Sequence, residues 1–481
     1  MVRVVNIKSG FFWSFIGSYG NKFISTFVFF LLAKLLGAEQ FGLVGIAYAI
    51  ISFGDLIIEQ GMVFAIVQKE NPTPSYLTTA FWVNIILGTA VFIIIFFSAP
   101  FIAVIFKESR LSGIIRVASL VFLIGPCGIV QTAVLTKKMN FRALTISRSI
   151  GLAVGGVFAI GMAFKGLGAW SLICQQLVSV SIYTLLLWKQ SDWRPALFFS
   201  KYSFYEIFSF SSKILGFNLI EYFSKSSTEL TIGLVLNAKA VGLYLFAYKI
   251  FHTTLVIANT SINQVMLPLF SSAQNDDVTL VKYFLKAVKT AYFILFPILI
   301  FVIFIAPLVV QKLFNSSWEN GINLISWICI AGILNMICFY LNSLLISKNR
   351  LNLLLKLNLI SALLNISFVY LSAQISLEAI AISQIIKNLI ILPISYYFLS
   401  QVIYISLKDL ADSLINQFCI CIFMLVVMLG ISNVELINNL DPYLLLIVRI
   451  LVFSLALFAG FSIFAPGISR LIKAKIYQIY K

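Results

Sequence analysis

The feature of this sequence that most constrains its fold is a succession of long apolar runs separated by short polar segments. A helix needs about 20 mostly apolar residues to cross the roughly 30 Å hydrocarbon core of a bilayer. Only 11% of the residues are charged, whereas soluble domains carry about a quarter. The sequence therefore predicts an all-α integral membrane protein, in which lipid takes the place of most of a buried core.

The apolar runs predict fourteen transmembrane helices, and none of the segments between them is long enough for a catalytic domain. The first run follows Arg3 and Lys8 without a short apolar region and cleavage site, so we expect a retained helix and not a signal peptide. The expected ranges are 11–36, 42–66, 80–105, 111–135, 143–164, 168–188, 208–235, 240–267, 285–310, 321–346, 353–373, 378–399, 413–432 and 443–464.

The positive charges of the chain are distributed as membrane topology requires. The net charge is +17, but Lys and Arg form no basic domain or arm, which argues against nucleic-acid binding. With a cytoplasmic N-terminus, nineteen of the Lys and Arg residues in loops and tails fall on the cytoplasmic side and five on the other. Cytoplasmic loops carry the excess of Lys and Arg. The sequence thus predicts a multi-pass membrane protein with both termini in the cytoplasm.

The cysteines give no sign of a metal centre or a disulfide framework. All six lie inside apolar segments, and none has a His or Cys partner at zinc spacing. We expect small buried thiols, no metal site and no cofactor.

An internal repeat divides the predicted helices into groups. Residues 36–50 and 236–250 match at seven of fifteen positions with an offset of 200, including Gly42 with Gly242. The repeat makes predicted helices 1 and 2 equivalent to helices 7 and 8, and six helices separate the copies. A parallel repeat of this kind predicts two six-helix lobes with a central site between them. We expect lobes at 1–200 and 201–405, followed by two extra helices and a basic tail at 406–481.

Predicted helix 1 carries a polar stripe in the middle of its span. Ser18, Asn21, Lys22 and Ser25 share one face of the helix. A charge within a membrane span costs about 2.5–3.5 kcal/mol on insertion scales. Either Lys22 faces an anionic substrate in a hydrated cavity, or it pairs with an acid on a neighbouring helix, and the two interpretations are compatible.

Predicted helices 2 and 7 carry the acidic candidates for coupling to a proton or sodium ion. Asp55 and Glu59 are spaced i, i+4 on helix 2, and both therefore lie on one face. Glu221 and Lys225 on helix 7 have the favourable order for an ion pair, which leaves Glu229 as the better functional candidate. The alternative for the helix 2 acids, and for Glu59 in particular, is pairing with lysines.

Predicted helices 8 and 12 add three polar candidates. Lys249 lies about 13 Å into helix 8 at 1.5 Å per residue, and Lys387 lies midway along helix 12. His252 is more simply explained as a packing residue than as a proton-transfer group. Arg148 and Arg449 lie near helix ends, where long side chains reach the interface. Pro126 is expected to bend its helix.

Four segments of the sequence resemble the polysaccharide flippases of the multidrug/oligosaccharidyl-lipid/polysaccharide exporter superfamily, near the Wzx-type branch. They are LLAKLLGAEQFGLVGIA at 31–47, EQGMVFAIVQ at 59–68, LTIGLVLNAKAVGLYLFAYKI at 230–250 and VMLPLFSSAQND at 265–276.

The resemblance implies two six-helix bundles arranged as a V around a cavity, with two additional helices. It implies export of an undecaprenyl-pyrophosphate-linked oligosaccharide by alternating access, coupled to H⁺, Na⁺ or the membrane potential. Basic cavity residues would engage the pyrophosphate, a role that suits Lys22, Lys225 and Lys249, with Lys387 as a further source of positive charge. The acidic residue before the glycine of helix 2 falls at Glu59.

The resemblance also implies partners, and the sequence leaves one main alternative. A flippase would act with glycosyltransferases and a glycan polymerase, and we expect a functional monomer that is not an enzyme. The alternative is a cation-coupled exporter of small molecules on the same architecture, for which the acids alone would matter.

Overall fold

The computed structural model describes residues 7–59, 62–434 and 441–464. Regular structure in these ranges is helical throughout, with one 3-10 helix at Ser316–Gly321. The α-helices are α1 (Ile7–Leu35), α2 (Ala38–Glu59), α3 (Met62–Gln68), α4 (Pro74–Ile105), α5 (Arg110–Ala118), α6 (Val121–Ile124), α7 (Pro126–Lys137), α8 (Phe141–Phe164), α9 (Ala169–Gln190), α10 (Lys201–Val235), α11 (Ala238–Ser272), α12 (Asp277–Leu313), α13 (Ile322–Ser347), α14 (Leu351–Ala373), α15 (Leu377–Ser400), α16 (Leu407–Ser432) and α17 (Pro442–Phe464).

Several helices begin at a side chain that accepts a hydrogen bond from the first turn. Such caps satisfy amide groups that have no partner within the helix. The capping residues are Thr73, Asn140, Ser200, Asp276, Ser376 and Ser406. Polar loop residues therefore fix where the long apolar helices start.

The helices make this a multi-pass membrane protein. Ten helical segments of the described chain are long and apolar enough to cross a bilayer, or eleven if one bent pair is a single span. The bent pair comprises residues 110–124 and 126–137, which meet at an angle of 42°. The bend lies at Pro126, as predicted, because proline has no amide hydrogen and its ring clashes with the preceding turn. Each of the fourteen predicted ranges overlaps a helix.

The chain forms two compact units, Met1–Leu245 and Phe246–Lys481. In the first unit α8 packs on α1 and α9, and α2 contacts α4, α5, α9 and α10. In the second unit α13 packs on α12 and α15, α14 packs on α15, and α16 packs on α12 and α17. The predicted boundaries at 200 and 405 concern the repeat and not compactness, so they stay a prediction.

Small residues allow α8 to approach its neighbours closely. A Cβ at Gly155 would lie 2.6 Å from the backbone oxygen of Gln175 on α9. A Cβ at Gly151 would lie 2.7 Å from the oxygen of Ser179. Gly156 meets Val28 of α1. The glycines of this helix thus form a small-xxx-small packing face, as is common in membranes.

The two copies of the sequence repeat meet at their matched glycines within the first unit. A Cβ on Gly42 of α2 would lie 1.6 Å from the carbonyl oxygen of Ala238 at the start of α11. Reciprocally, a Cβ on Gly242 would lie 1.8 Å from the oxygen of Ala38. The contact is thus locally two-fold symmetric, which only residues without a side chain permit.

Candidate functional site

A cavity of about 860 Å³, lined by both apolar and polar side chains, lies inside the first unit. Its volume is in the range of pockets that hold small ligands, about 300–1,000 Å³. Its walls come from α2, α3, α7, α8, α9 and α10, and from the breaks between short helices. The lining residues are Tyr48, Ile51, Ser52, Asp55, Ile58, Val63, Phe64, Val121, Gly125, Pro126, Gly128, Ile129, Thr132, Arg148, Leu152, Gln175, Gln176, Ser179, Val180, Tyr183, Thr184 and Asn218.

Helix α2 presents a polar edge to this cavity. Tyr48, Ser52 and Asp55 are spaced i, i+4 and i+7, which places them on one helix face. The Tyr48 hydroxyl donates to the Leu172 carbonyl at 2.9 Å, and the Ser52 hydroxyl donates to the Tyr48 carbonyl. Asp55 is half-buried. Of the predicted coupling residues, Asp55 is thus placed on the wall of a cavity.

Helix α8 contributes a charge that the sequence did not predict for a site. Arg148 lies two turns into this helix, where its exposed side chain lines the cavity. We expected an arginine near a helix end to reach the membrane interface. Arg148 instead lines the cavity, on the helix that packs on α1 and α9. The sequence feature that could have identified Arg148 as a site residue is its positive charge within a predicted membrane span.

Four polar side chains of the cavity have unused hydrogen-bonding capacity. Arg148, Gln175, Gln176 and Asn218 make no hydrogen bond or ion pair with the residues that the structure describes. The guanidinium offers five N–H groups, and each amide offers two N–H groups and one oxygen. Together they can hold a ligand that both donates and accepts hydrogen bonds.

The formal charges lining the cavity cancel. Among the described lining residues, Asp55 is negatively charged and Arg148 positively charged at neutral pH. Thr132 and Tyr183 bring their hydroxyl oxygens to 3.3 Å on the same surface. The described lining residues thus carry no net formal charge.

The predicted stripe of α1 lies beside this cavity and not in its wall. Asn21 accepts a hydrogen bond of 2.7 Å from Ser149 of α8, and Ser25 donates to the Lys22 carbonyl at 3.0 Å. Lys22 is exposed, and none of these three residues lines the cavity. The side chain of Ser18 lies outside the described residues.

Of the predicted acids of α2 and α10, the structure describes the side chains of Asp55 and Glu229. The side chains of Glu59, Glu221 and Lys225 lie outside the described residues. Glu229 is half-buried and makes no hydrogen bond or ion pair within the described part of the chain. An ionised carboxylate in such a place is costly without a partner.

The second unit holds the remaining predicted lysines. Lys387 of α15 donates to Gln384 Oε1 at 2.7 Å and to Asn365 Oδ1 at 3.3 Å. Its described partners are therefore neutral amides. Lys249 of α11 is half-buried, and the imidazole of His252 stacks on Tyr248 with ring centroids 5.7 Å apart. His252 is exposed, and its expected packing role stays a prediction.

The sequence matches a known family over most of its first two thirds. The family is described as "Polysaccharide biosynthesis protein", and the match covers residues 31–323. The chain is 25% identical to the teichuronic acid biosynthesis protein TuaB of Bacillus subtilis (strain 168), over 89% of each chain. It is also 25% identical to the lipopolysaccharide biosynthesis protein WzxC of Escherichia coli (strain K12), over 72% of this chain and 71% of WzxC.

Two solved structures share the fold. The inward closed conformation of the lipid II flippase MurJ superimposes with a TM-score of 0.76 at 14% identity, covering 95% of this chain and 99% of MurJ. The inward-facing conformation of a MATE family multidrug resistance transporter gives 0.59 at 14% identity, covering 79% of this chain and 94% of that one. At these identities the likeness concerns the fold alone.

Proposed function

Because the chain belongs to the polysaccharide biosynthesis protein family, we propose that it is a flippase for a lipid-linked oligosaccharide. The substrate is an undecaprenyl-pyrophosphate-linked repeat unit of an O-antigen, capsule or exopolysaccharide. The family match carries the proposal, and the names of TuaB and WzxC support a role in surface glycan synthesis. A fold shared with a lipid II flippase over almost its full length is consistent with this substrate class.

The physical task explains why such a chain needs a polar interior. A glycan headgroup cannot cross hydrocarbon unaided, because burying its hydroxyl groups and pyrophosphate without partners is prohibitive. A cleft lined by polar side chains shields the headgroup while the prenyl chain stays in lipid. Reorientation of two lobes about such a site moves its opening from one side to the other. No chemical bond needs to change, so the proposed protein is a transporter and not an enzyme.

The finer architecture is part of the proposal. It comprises fourteen transmembrane helices in a bacterial inner membrane, two six-helix bundles arranged as a V, and two additional helices. Helices α1, α10 and α11 support the count, since their 29, 35 and 35 residues exceed the length of a span. The excess of Lys and Arg in alternate loops supports cytoplasmic termini.

The lysines are proposed to bind the pyrophosphate, and the acids to couple transport to an ion. An ammonium group acts as a point charge for a phosphate, which suits Lys22, Lys225 and Lys249. Glu229 is the best supported coupling residue, because its carboxyl group is half-buried without a described partner. H⁺ or Na⁺ would neutralise it. A functional monomer acting with glycosyltransferases and a polymerase completes the proposal.

The first experiment removes the gene and measures lipid-linked oligosaccharide in the inner leaflet. If the protein is a flippase, deletion should cause this intermediate to accumulate and surface glycan to be lost. The wild-type gene should reverse both changes. Unchanged surface glycan without accumulation would rule the function out. Loss of resistance to cationic drugs without a glycan defect would instead favour the small-molecule exporter.

The second experiment tests the lysines with a matched control on the same helix. Lys22→Ala should lower glycan export at least tenfold, because a hydrogen bond to a charged group contributes about 1.5–3 kcal/mol. Lys34→Ala, also exposed on α1 but near its end, should retain export. Equal export by the two variants, at equal protein level, would contradict the role of Lys22.

A further inference from the structure

We infer that the cavity of the first unit is a sugar-recognition pocket that binds one pyranose ring of the transported glycan. The inference rests on the proposed function and adds to it a site for selecting the substrate. Under this inference two sites bind the substrate: the lysines named above would bind the pyrophosphate, and this cavity would recognise the sugar.

The uncommitted polar groups of the cavity match the chemistry of a sugar. Each hydroxyl of a pyranose ring both donates and accepts a hydrogen bond. The side-chain amides of Gln175, Gln176 and Asn218 can also do both, and the guanidinium of Arg148 can donate to two oxygens at once. In a membrane protein, polar groups without partners are costly and mark functional sites. Four such side chains on one cavity therefore indicate a polar ligand with many hydroxyl groups.

The cavity also offers an apolar surface beside its polar one. Phe64 of α3 lines the cavity, and 69% of this residue is exposed. One face of a pyranose ring presents C–H groups, and these pack on an aromatic ring as other apolar groups do. The combination of an aromatic face with amides distinguishes a sugar pocket from a purely hydrated space.

The charge of the cavity argues against the other ligands of such a protein. A pyrophosphate would favour a net positive surface, and a cationic drug a net negative one. Asp55 and Arg148 cancel formally. The Arg148 guanidinium can nevertheless donate strong hydrogen bonds to hydroxyl groups. A neutral, hydroxyl-rich ring fits this arrangement better than either ion.

The test compares two lipids in proteoliposomes that contain the full chain. One is the lipid-linked oligosaccharide extracted from cells lacking the gene, and the other is undecaprenyl pyrophosphate without a sugar. The variants are Arg148→Gln and Gln175→Ala with Gln176→Ala. Arg142→Gln is the matched control, because Arg142 is exposed on the same helix and lies outside the cavity. Thermal unfolding verifies that each variant is folded.

We expect the cavity variants to lower the transport ratio of the lipid-linked oligosaccharide to the sugar-free lipid by about tenfold, which is the effect of one strong hydrogen bond. Arg142→Gln should leave this ratio unchanged. An unchanged ratio in folded cavity variants would overturn the sugar pocket while the flippase function stands. If the wild-type protein transports neither lipid, the proposed function itself fails.

Discussion

The close contact between the repeated segments makes Gly42→Ala the most sharply defined perturbation. The added methyl group would lie 1.6 Å from the Ala238 carbonyl oxygen and 2.9 Å from the Gly242 nitrogen. Both obstacles are backbone atoms, so no side chain can rotate away. Gly42 is also enclosed, since the surrounding residues 41–47 are buried. The substitution therefore requires the two helices to separate.

The size of the effect follows from this geometry. Real Cβ atoms essentially never approach another heavy atom within 3.0 Å, so the backbones must move apart by 3.0 − 1.6 = 1.4 Å or more. Overpacking of a well-packed contact costs about 1–3 kcal/mol. Replacing glycine by alanine within a helix returns about 0.5–1 kcal/mol. We expect a net loss of about 1–2 kcal/mol in the stability of the first unit.

The assay uses the native thiols of the chain. Cys127 and Cys174 belong to the first unit and are half-buried. In a variant that retains only these two cysteines, a thiol-reactive fluorescent dye reports the unfolding of this unit on heating. Gly42→Ala should unfold at a temperature several degrees lower than the unsubstituted protein in the same nanodiscs.

Two further substitutions make the reasoning refutable. Gly161→Ala on α8 meets no atom within 4 Å, so it should leave the unfolding temperature unchanged or raise it slightly. Gly242→Ala should resemble Gly42→Ala, and the double variant should lose less than the sum, because the first substitution already opens the contact. If Gly42→Ala unfolds at the same temperature as Gly161→Ala, the contact does not hold the helices together.

Three other outcomes are expected. Lys387→Ala should lower the unfolding temperature of the second unit, because it removes the hydrogen bonds that the Lys387 ammonium donates to Gln384 and Asn365, each worth about 1.5–3 kcal/mol. Lys356→Ala at an exposed site should leave this temperature unchanged. Asp276→Ala should increase hydrogen exchange at the start of α12, where Asp276 accepts from the hydroxyl and amide of Thr279. Those hydrogen bonds hold the pKa of Asp276 below its usual range. The stabilisation of the helix start by the ionised carboxylate therefore persists above about pH 4 and is lost as the pH falls through the lowered pKa. At that low pH, hydrogen exchange in the wild type should approach that of the variant. Glu229→Gln should abolish stimulation of transport by an imposed pH gradient or sodium gradient, and an unaltered response relative to exposed Glu319→Gln would exclude Glu229 as the coupling group.

The sequence by itself determined which segments are helices in a membrane. Hydropathy and span length are local properties, so the apolar runs, the break at Pro126 and the packing glycines of α8 were all predictable. The offset of 200 likewise identified Gly42 and Gly242 as equivalent. Helical geometry also predicts that Asp55 and Glu59 share a face of α2, because side chains three or four residues apart share a face.

Only the tertiary structure decided which faces meet. Arg148, Gln175 and Asn218 lie on three helices, and no spacing along the chain brings them to one cavity. Nor does the sequence reveal that Lys387 binds the amides of Asn365 and Gln384. The rotation of each helix about its axis is set by ridges and small residues packing between neighbours. Polar residues are thus visible in the sequence, but their common cavity is a property of packing.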